Sequence, residues 1–179
     1  MIDPVVFAAR HFTDLKPVPT AGIAIRGEIR KLCEQNSCGN YDRNWTCPPA
    51  VDSLDRFRER ITGFETLLIV SDVYSIKSSF DWAGMMDSLG RFRDKLLALK
   101  NDINSADPGF DFLILGAGAC RLCEPCSYVS GKPCRRPRDA IVSLEACGID
   151  VMRLLRENGL RCYHGKGTLT YAGGILYSR

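Results

Sequence analysis

Apolar residues recur along the chain with two different periods, and each change of period marks a new element. Between Asp81 and Leu99 the residues Trp82, Met85, Met86, Leu89, Phe92, Leu96 and Leu99 stand three or four positions apart, which predicts an amphipathic helix with its stripe turned to a core. Before it, "ETLLIVSDVY" is a short and nearly unbroken apolar run, the pattern of a buried strand. After it, beyond the turn "NSADPG", "FDFLILGAG" is a second run of the same kind. Strand, helix and strand together predict one parallel crossover unit.

Shorter signals fill in the rest. After "CPPAV", Asp52 can cap a helix with Asp55 at the capping-box position, and Leu54, Phe57 and Ile61 then share one face. "SLEACG" reads as a single helical turn closed by Gly148, and Asp150 can cap a further helix that runs to Asn158 and stops at Gly159. "LRCYH" and "TLTYAGGILY" read as terminal strands. "AGIAIRGEIRKLC" fits either strand or helix, with Ile25, Ile29 and Leu32 favouring a helix that enters Cys33. With no internal repeat, low-complexity tract or linker, the expectation is a single α/β domain over residues 1–179. It has a small, at least partly parallel sheet flanked by helices and two cysteine-rich loops. Sites in open α/β sheets form outside the carboxyl ends of the strands, and "GAGACRLC" follows such an end directly.

Composition narrows the function classes. A chain of 179 residues can bury a core of its own, so the cysteines are not needed as staples. A formal net charge of +3 gives no general argument for nucleic acid, and basic residues matter only where they cluster. "MIDPVVFAAR" carries Asp3 and Pro4 where a signal peptide needs a long apolar region, and the longest apolar runs fall short of the ~20 residues of a membrane span. A cytoplasmic protein without membrane contact is expected. A reducing cytosol keeps thiols free unless a metal takes them, and there are nine cysteines, an odd number.

Seven of the nine fall into two sets. In "ACRLCEPCSYVSGKPCRRP", Cys120, Cys123 and Cys126 are followed by Cys134, a C-x2-C-x2-C-x7-C pattern. Structural zinc sites usually use two well-separated pairs, whereas three thiols at two-residue intervals suit a 4Fe-4S cubane, around which the backbone can curl with its amides towards the sulfurs. Cys134 can supply the fourth thiolate or reach a second cluster. Zinc, or thiols without metal, are the alternatives. The other set, Cys33, Cys38 and Cys47 in "CEQNSCGNYDRNWTCPP", is less specific and fits a second cluster, a structural zinc or packed thiols. Cys147 can be a missing fourth ligand there. Otherwise Cys147 and Cys162 are small buried hydrophobes, and His11 and His164 stand in no ligand spacing.

The chain's basic patch surrounds the quartet: Arg121, Lys132, Arg135, Arg136 and Arg138, against Glu124 and Asp139. Guanidinium groups near an anionic cluster would favour its reduced form and raise its potential. They can equally dock an acidic partner or a small anionic substrate, or be an idle solvated surface. No Ser-His-Asp set, phosphate loop or acid and base pair appears, and "GAGAC" is not G-x-G-x-x-G, so no catalytic residue is assigned.

The stretches "CEQNSCGNYDRNWTCPPAV" and "GAGACRLCEPCSYVSGKPCRRPRDAIVSLEACGIDV" resemble an uncharacterised domain family of predicted metal-binding proteins, frequent in anaerobic bacteria and archaea. The resemblance covers most of the chain. It carries Cys33, Cys38 and Cys47, with Pro48 and Pro49, onto the family's first motif and Cys120, Cys123, Cys126 and Cys134 onto its second. It implies metal and no particular reaction. Three functions stay open: an electron-transfer module with one or two 4Fe-4S clusters and a redox protein as partner; an enzyme whose three-cysteine cluster offers an open iron to a substrate; and a zinc-stabilised binding protein.

Overall fold

The computed structural model describes residues 2–178. The helices are α1 (Pro4–Ala8), α2 (Gly27–Glu34), α3 (Leu54–Thr62), α4 (Trp82–Ala106) and α5 (Val151–Glu157). The strands are β1 (Asp14–Pro19), β2 (Thr66–Ser75), β3 (Phe112–Gly116), β4 (Val142–Ser143) and β5 (Thr168–Tyr177). They form one mixed sheet in the order β1-β2-β5-β3-β4. Among the described residues no helix is long and apolar enough to cross a membrane.

The near-continuous apolar runs are explained by burial on both faces. In β2, Leu68 and Val70 join a cluster with Phe92, Leu96, Leu99 and Ile103 of α4, while Leu67 and Ile69 join another with Phe57 and Ile61 of α3 and Leu154 and Leu155 of α5. The sheet is therefore the middle of three layers, with alternate residues of one strand feeding two cores.

One expectation about topology is corrected. β2 and β3 are not neighbours: β5 lies between them and pairs antiparallel with both, as Leu68↔Ile175 and Ile114↔Ile175 show. The unit is thus split by a strand from the far end of the chain. The parallel pair in the sheet is β3 with β4, at Leu115↔Val142 and Gly116↔Ser143. Antiparallel pairing needs no crossover, so β5 can enter the gap that the α4 connection leaves open.

Other elements differ in detail. α4 runs seven residues beyond the expected end, to Ala106, with Asp81 as its cap accepting from the Gly84 amide at 3.0 Å. α3 is capped by Ser53 instead of Asp52, through a bond from the Arg56 amide at 3.3 Å. α2 is a helix over Gly27–Glu34, but none of its residues is buried and Leu32 is exposed. The single turn at Glu145–Cys147 closed by Gly148, and α5 capped by Asp150, stand as expected. "LRCYH" is not a strand: residues 160–164 return from α5 to β5 without a ladder partner, and Tyr163 faces solvent. β1 occupies the sheet edge, where Pro17 and Pro19 are tolerated.

Candidate metal centre

β3 ends at Gly116, and the chain passes through Gly118 into the quartet loop. Gly118 has φ +63°, and a Cβ there would lie 3.0 Å from Leu89 Cδ2, so the turn needs glycine to leave the sheet over α4. Cys120, Cys123, Cys126 and Cys134 all line one small internal space of about 10 Å³. Cys120, Cys123 and Cys126 also border an open cavity of about 380 Å³ with Arg43, Asn44 and Arg121. The Leu122 amide donates to the Cys120 sulfur.

The first cysteine set is built by α2 and the turns after it. Cys33 sits in the last turn of the helix, and the following loop folds back through Asn36 and Asp42, both with positive φ. Bonds from Tyr41 N to Asn36 Oδ1 (3.0 Å), Asp42 N to Pro48 O (2.9 Å) and Cys47 N to Asn44 O (3.0 Å) fix its course. Cys33, Cys38 and Cys47 face a common cavity of about 360 Å³, walled by Trp82, Met86 and Leu89 of α4 and Tyr171 of β5. The first turn of the Met and aromatic stripe therefore lines a cavity, and only its later residues Phe92, Leu96 and Leu99 are fully in the core.

The two loops interlock. Asn44, buried at 5% exposure, donates from Nδ2 to the Cys120 carbonyl at 2.7 Å. Its Oδ1 accepts from the Thr46 amide and hydroxyl, both at 3.0 Å, and Thr46 Oγ1 accepts from the Cys120 amide at 3.0 Å. Trp45 packs edge-on against Tyr128 and donates to the Lys132 carbonyl at 3.1 Å, and Tyr128 donates to Asp42 at 2.7 Å. The two cysteine loops are thus neighbours. Asn44→Ala should cost about 1–3 kcal/mol, the penalty of leaving buried polar partners unmade. Urea unfolding of metal-free protein checks this, and an unchanged midpoint would show that the loops hold together without Asn44.

The thiols act on each other electrostatically. Burial pushes the Cys47 thiol up to about 12, and the neighbouring Cys38 and Cys33 add to the rise, with a smaller contribution from Cys120 across the junction. Cys33 is raised by burial first, then by Cys38 and Glu145. Burial also raises Cys120, opposed by the Leu122 amide and by Arg93, with Cys134 and Cys126 adding to the rise. Burial and crowding thus disfavour the thiolate forms of Cys33, Cys47 and Cys120 in the absence of a cation, and a soft metal is what thiolate donors take.

Cys33, Cys38 and Cys47 border one cavity, Cys120, Cys123, Cys126 and Cys134 border another space, and the remaining two cysteines line neither. Cys147 is fully buried in the apolar layer with Phe57 and Ile61, where burial lifts its thiol to about 12, and Cys162 bonds weakly to the Met152 carbonyl at 3.5 Å. Two of the arginines are engaged locally, Arg136 pairing with Asp139 at 2.9 Å and Arg135 donating to the Pro125 carbonyl, while Arg121 lines the cavities of both sets. His11 bonds to Asp102 at 2.8 Å and His164 approaches the Arg161 carbonyl at 3.3 Å, both away from the thiols.

Three residues at the site carry no assignment from the sequence patterns: Glu145, Asn44 and Thr46. Glu145 lines the same cavity as Cys33, Cys38 and Cys47, and its Oε2 is inaccessible and has no hydrogen-bond partner. Burial raises its carboxyl above the ordinary range, opposed by its own amide and the Ser143 hydroxyl. Asn44 and Thr46 join the loops.

Among the described residues no three His, Cys, Asp or Glu side chains converge on a cage for one ion. Cys33, Cys38 and Cys47 border one space and the quartet borders two others, and thiol donors suit a thiophilic metal. Residues 16–177 match the model of a family described as "Predicted metal-binding protein (DUF2284)". No curated protein and no solved structure matches the chain.

Proposed function

The chain belongs to this family of predicted metal-binding proteins, and from that premise we propose that Cys120, Cys123, Cys126 and Cys134 hold a 4Fe-4S cluster. Cys33, Cys38 and Cys47 hold a second, and the protein is a redox module. The observation that carries this reading is the interlocked pair of cysteine loops, joined through Asn44, Thr46 and Cys120. A zinc cage draws its sulfurs to about 3.8 Å from one another, given Zn–S bonds of 2.3 Å. A cubane accepts thiolates spread more widely, and Cys33, Cys38 and Cys47 border a cavity of about 360 Å³ while Cys120, Cys123 and Cys126 border one of about 380 Å³. Thiolate-ligated clusters supply one-electron chemistry when bound.

The chain's own residues would set how that chemistry is used. Leu122 N–H directed at Cys120, and the Arg93 charge nearby, stabilise negative charge on the sulfur and so favour the reduced state. Trp45 and Tyr128 cover the junction of the two loops. Arg135 and Arg138 border the quartet loop, where a redox protein with an acidic face would dock. A second reading, an enzyme with an open iron in the first set, is favoured by the apolar cavity of about 360 Å³ on that side, with Arg121 as its cationic group for a small anionic substrate.

Protein purified without oxygen should be brown, contain iron with acid-labile sulfide, and bleach on reduction. Colourless protein with stoichiometric zinc would overturn the iron-sulfur reading.

A further inference from the structure

We propose that Glu145 supplies the fourth protein ligand to the metal centre held by Cys33, Cys38 and Cys47. The inference rests on the iron-sulfur reading above and deepens it, because three cysteines leave one iron of a cubane without a protein donor.

The argument starts from an imbalance. A buried carboxylate oxygen normally finds a donor, because leaving it unpaired costs the full penalty of its desolvation. Glu145 Oε2 is inaccessible to solvent and has no partner. Glu145 is nevertheless held in place. It opens the turn Glu145–Cys147, which Gly148 closes at φ +80°, and a Cβ on Gly148 would lie 3.0 Å from the Arg26 carbonyl and 2.9 Å from Leu54 Cδ2. The Arg26 amide donates to the Gly148 carbonyl at 2.7 Å, and Ile25 bridges Ile149. These contacts dock the turn against the start of α2, the helix that carries Cys33.

Position completes the case. Glu145 borders the cavity of the three thiols and lies within the electrostatic reach of Cys33. Cys147, the other candidate, does not line that cavity and is wholly enclosed among apolar side chains. A carboxylate oxygen is a competent iron ligand, harder than thiolate and more readily displaced. An iron closed by Glu145 is therefore protected at rest and is the one position in the centre where an exchangeable ligand can enter from the apolar cavity.

The test uses full-length protein reconstituted anaerobically with ferrous iron and sulfide, as wild type, Glu145→Gln and Glu145→Cys. The glutamine variant keeps the shape and sacrifices no hydrogen bond of Oε2, so it should fold, with circular dichroism as the check. It should lose about one iron per chain and show the electron paramagnetic resonance signal of a three-iron cluster on oxidation. Glu145→Cys should restore the wild-type iron content with an altered spectrum of the reduced state, because a thiolate has replaced an oxygen donor. A merely structural carboxylate predicts no rescue by cysteine. Glu145→Gln with wild-type iron content and an unchanged spectrum, or equal loss in both variants, overturns the proposal while wild type keeps its clusters. Wild type that takes up no iron and sulfide overturns the iron-sulfur reading and the Glu145 assignment together.

Discussion

Cys123→Ser should strip the quartet loop of its iron, while Cys162→Ser leaves metal content unchanged. Cys123 borders both the inner space shared by all four thiols of the quartet and the open cavity beside it, so no other side chain can take its place without moving the loop. A serine hydroxyl is a poor substitute for a thiolate towards a soft metal. Losing a metal held across residues 120 to 134 should also lower thermal stability, since binding energy at such sites is partly folding energy. Cys162 packs against the layer of α3 and α5, bonds to the Met152 carbonyl and lines none of the spaces bordered by the two cysteine sets, so a hydroxyl there should leave them intact. Iron and sulfide assays on both variants decide the matter. Equal loss in the two would mean that the division between ligands and bystanders is wrong.

Phe92→Ala should cost about 3–5 kcal/mol, the usual result of emptying a fully buried aromatic site. Phe92 is completely enclosed, meeting Phe12 edge-on with ring centroids 5.5 Å apart and lying 5.9 Å from the Tyr171 ring. Against a typical domain stability of about 5–15 kcal/mol, that is a large share. The effect should reach the cavity of Cys33, Cys38 and Cys47, because Tyr171 walls it and packs against Phe92 and Tyr74, with its hydroxyl bonded to the Met85 carbonyl at 2.9 Å. Denaturant unfolding measures the first effect. A loss below about 1 kcal/mol would show that the layer between α4 and the sheet repacks around the gap.

The elements that local pattern specifies were legible. β2, α4, β3, α5 and β5 each carry an uninterrupted period or a cap that depends on a few consecutive residues, and the metal family was readable from the seven cysteines and their prolines. What local pattern does not specify was missed. Nothing within "TLTYAGGILY" says which strands it will separate, because pairing partners are set by the whole sheet, and the expected β2 with β3 pairing failed for that reason. "LRCYH" alternates as a strand does, but residues 160–164 pair with no strand. Glu145 was passed over because its meaning lies in burial: a charged residue flanked by Leu144, Ala146 and Cys147 was the available signal, a carboxylate inside an apolar turn. Asn44 looked like a loop residue until its carbonyl partner proved to be 76 positions away.

The split crossover has a consequence for how the molecule is made. A ribosome delivers residues in order, and domains begin to organise as they emerge. All nine cysteines precede β5, yet β2 and β3 share no neighbour until β5 slides between them. For that interval the nascent chain presents its thiols on two half-sheets linked through α4 but not yet joined by a strand. The cell's metal delivery machinery therefore meets a different object before and after the last ten strand residues are added: first a pair of separate thiol loops, then a finished pocket entered from one side. Which of the two receives the metal sets whether its insertion guides the closing of the sheet or waits for it.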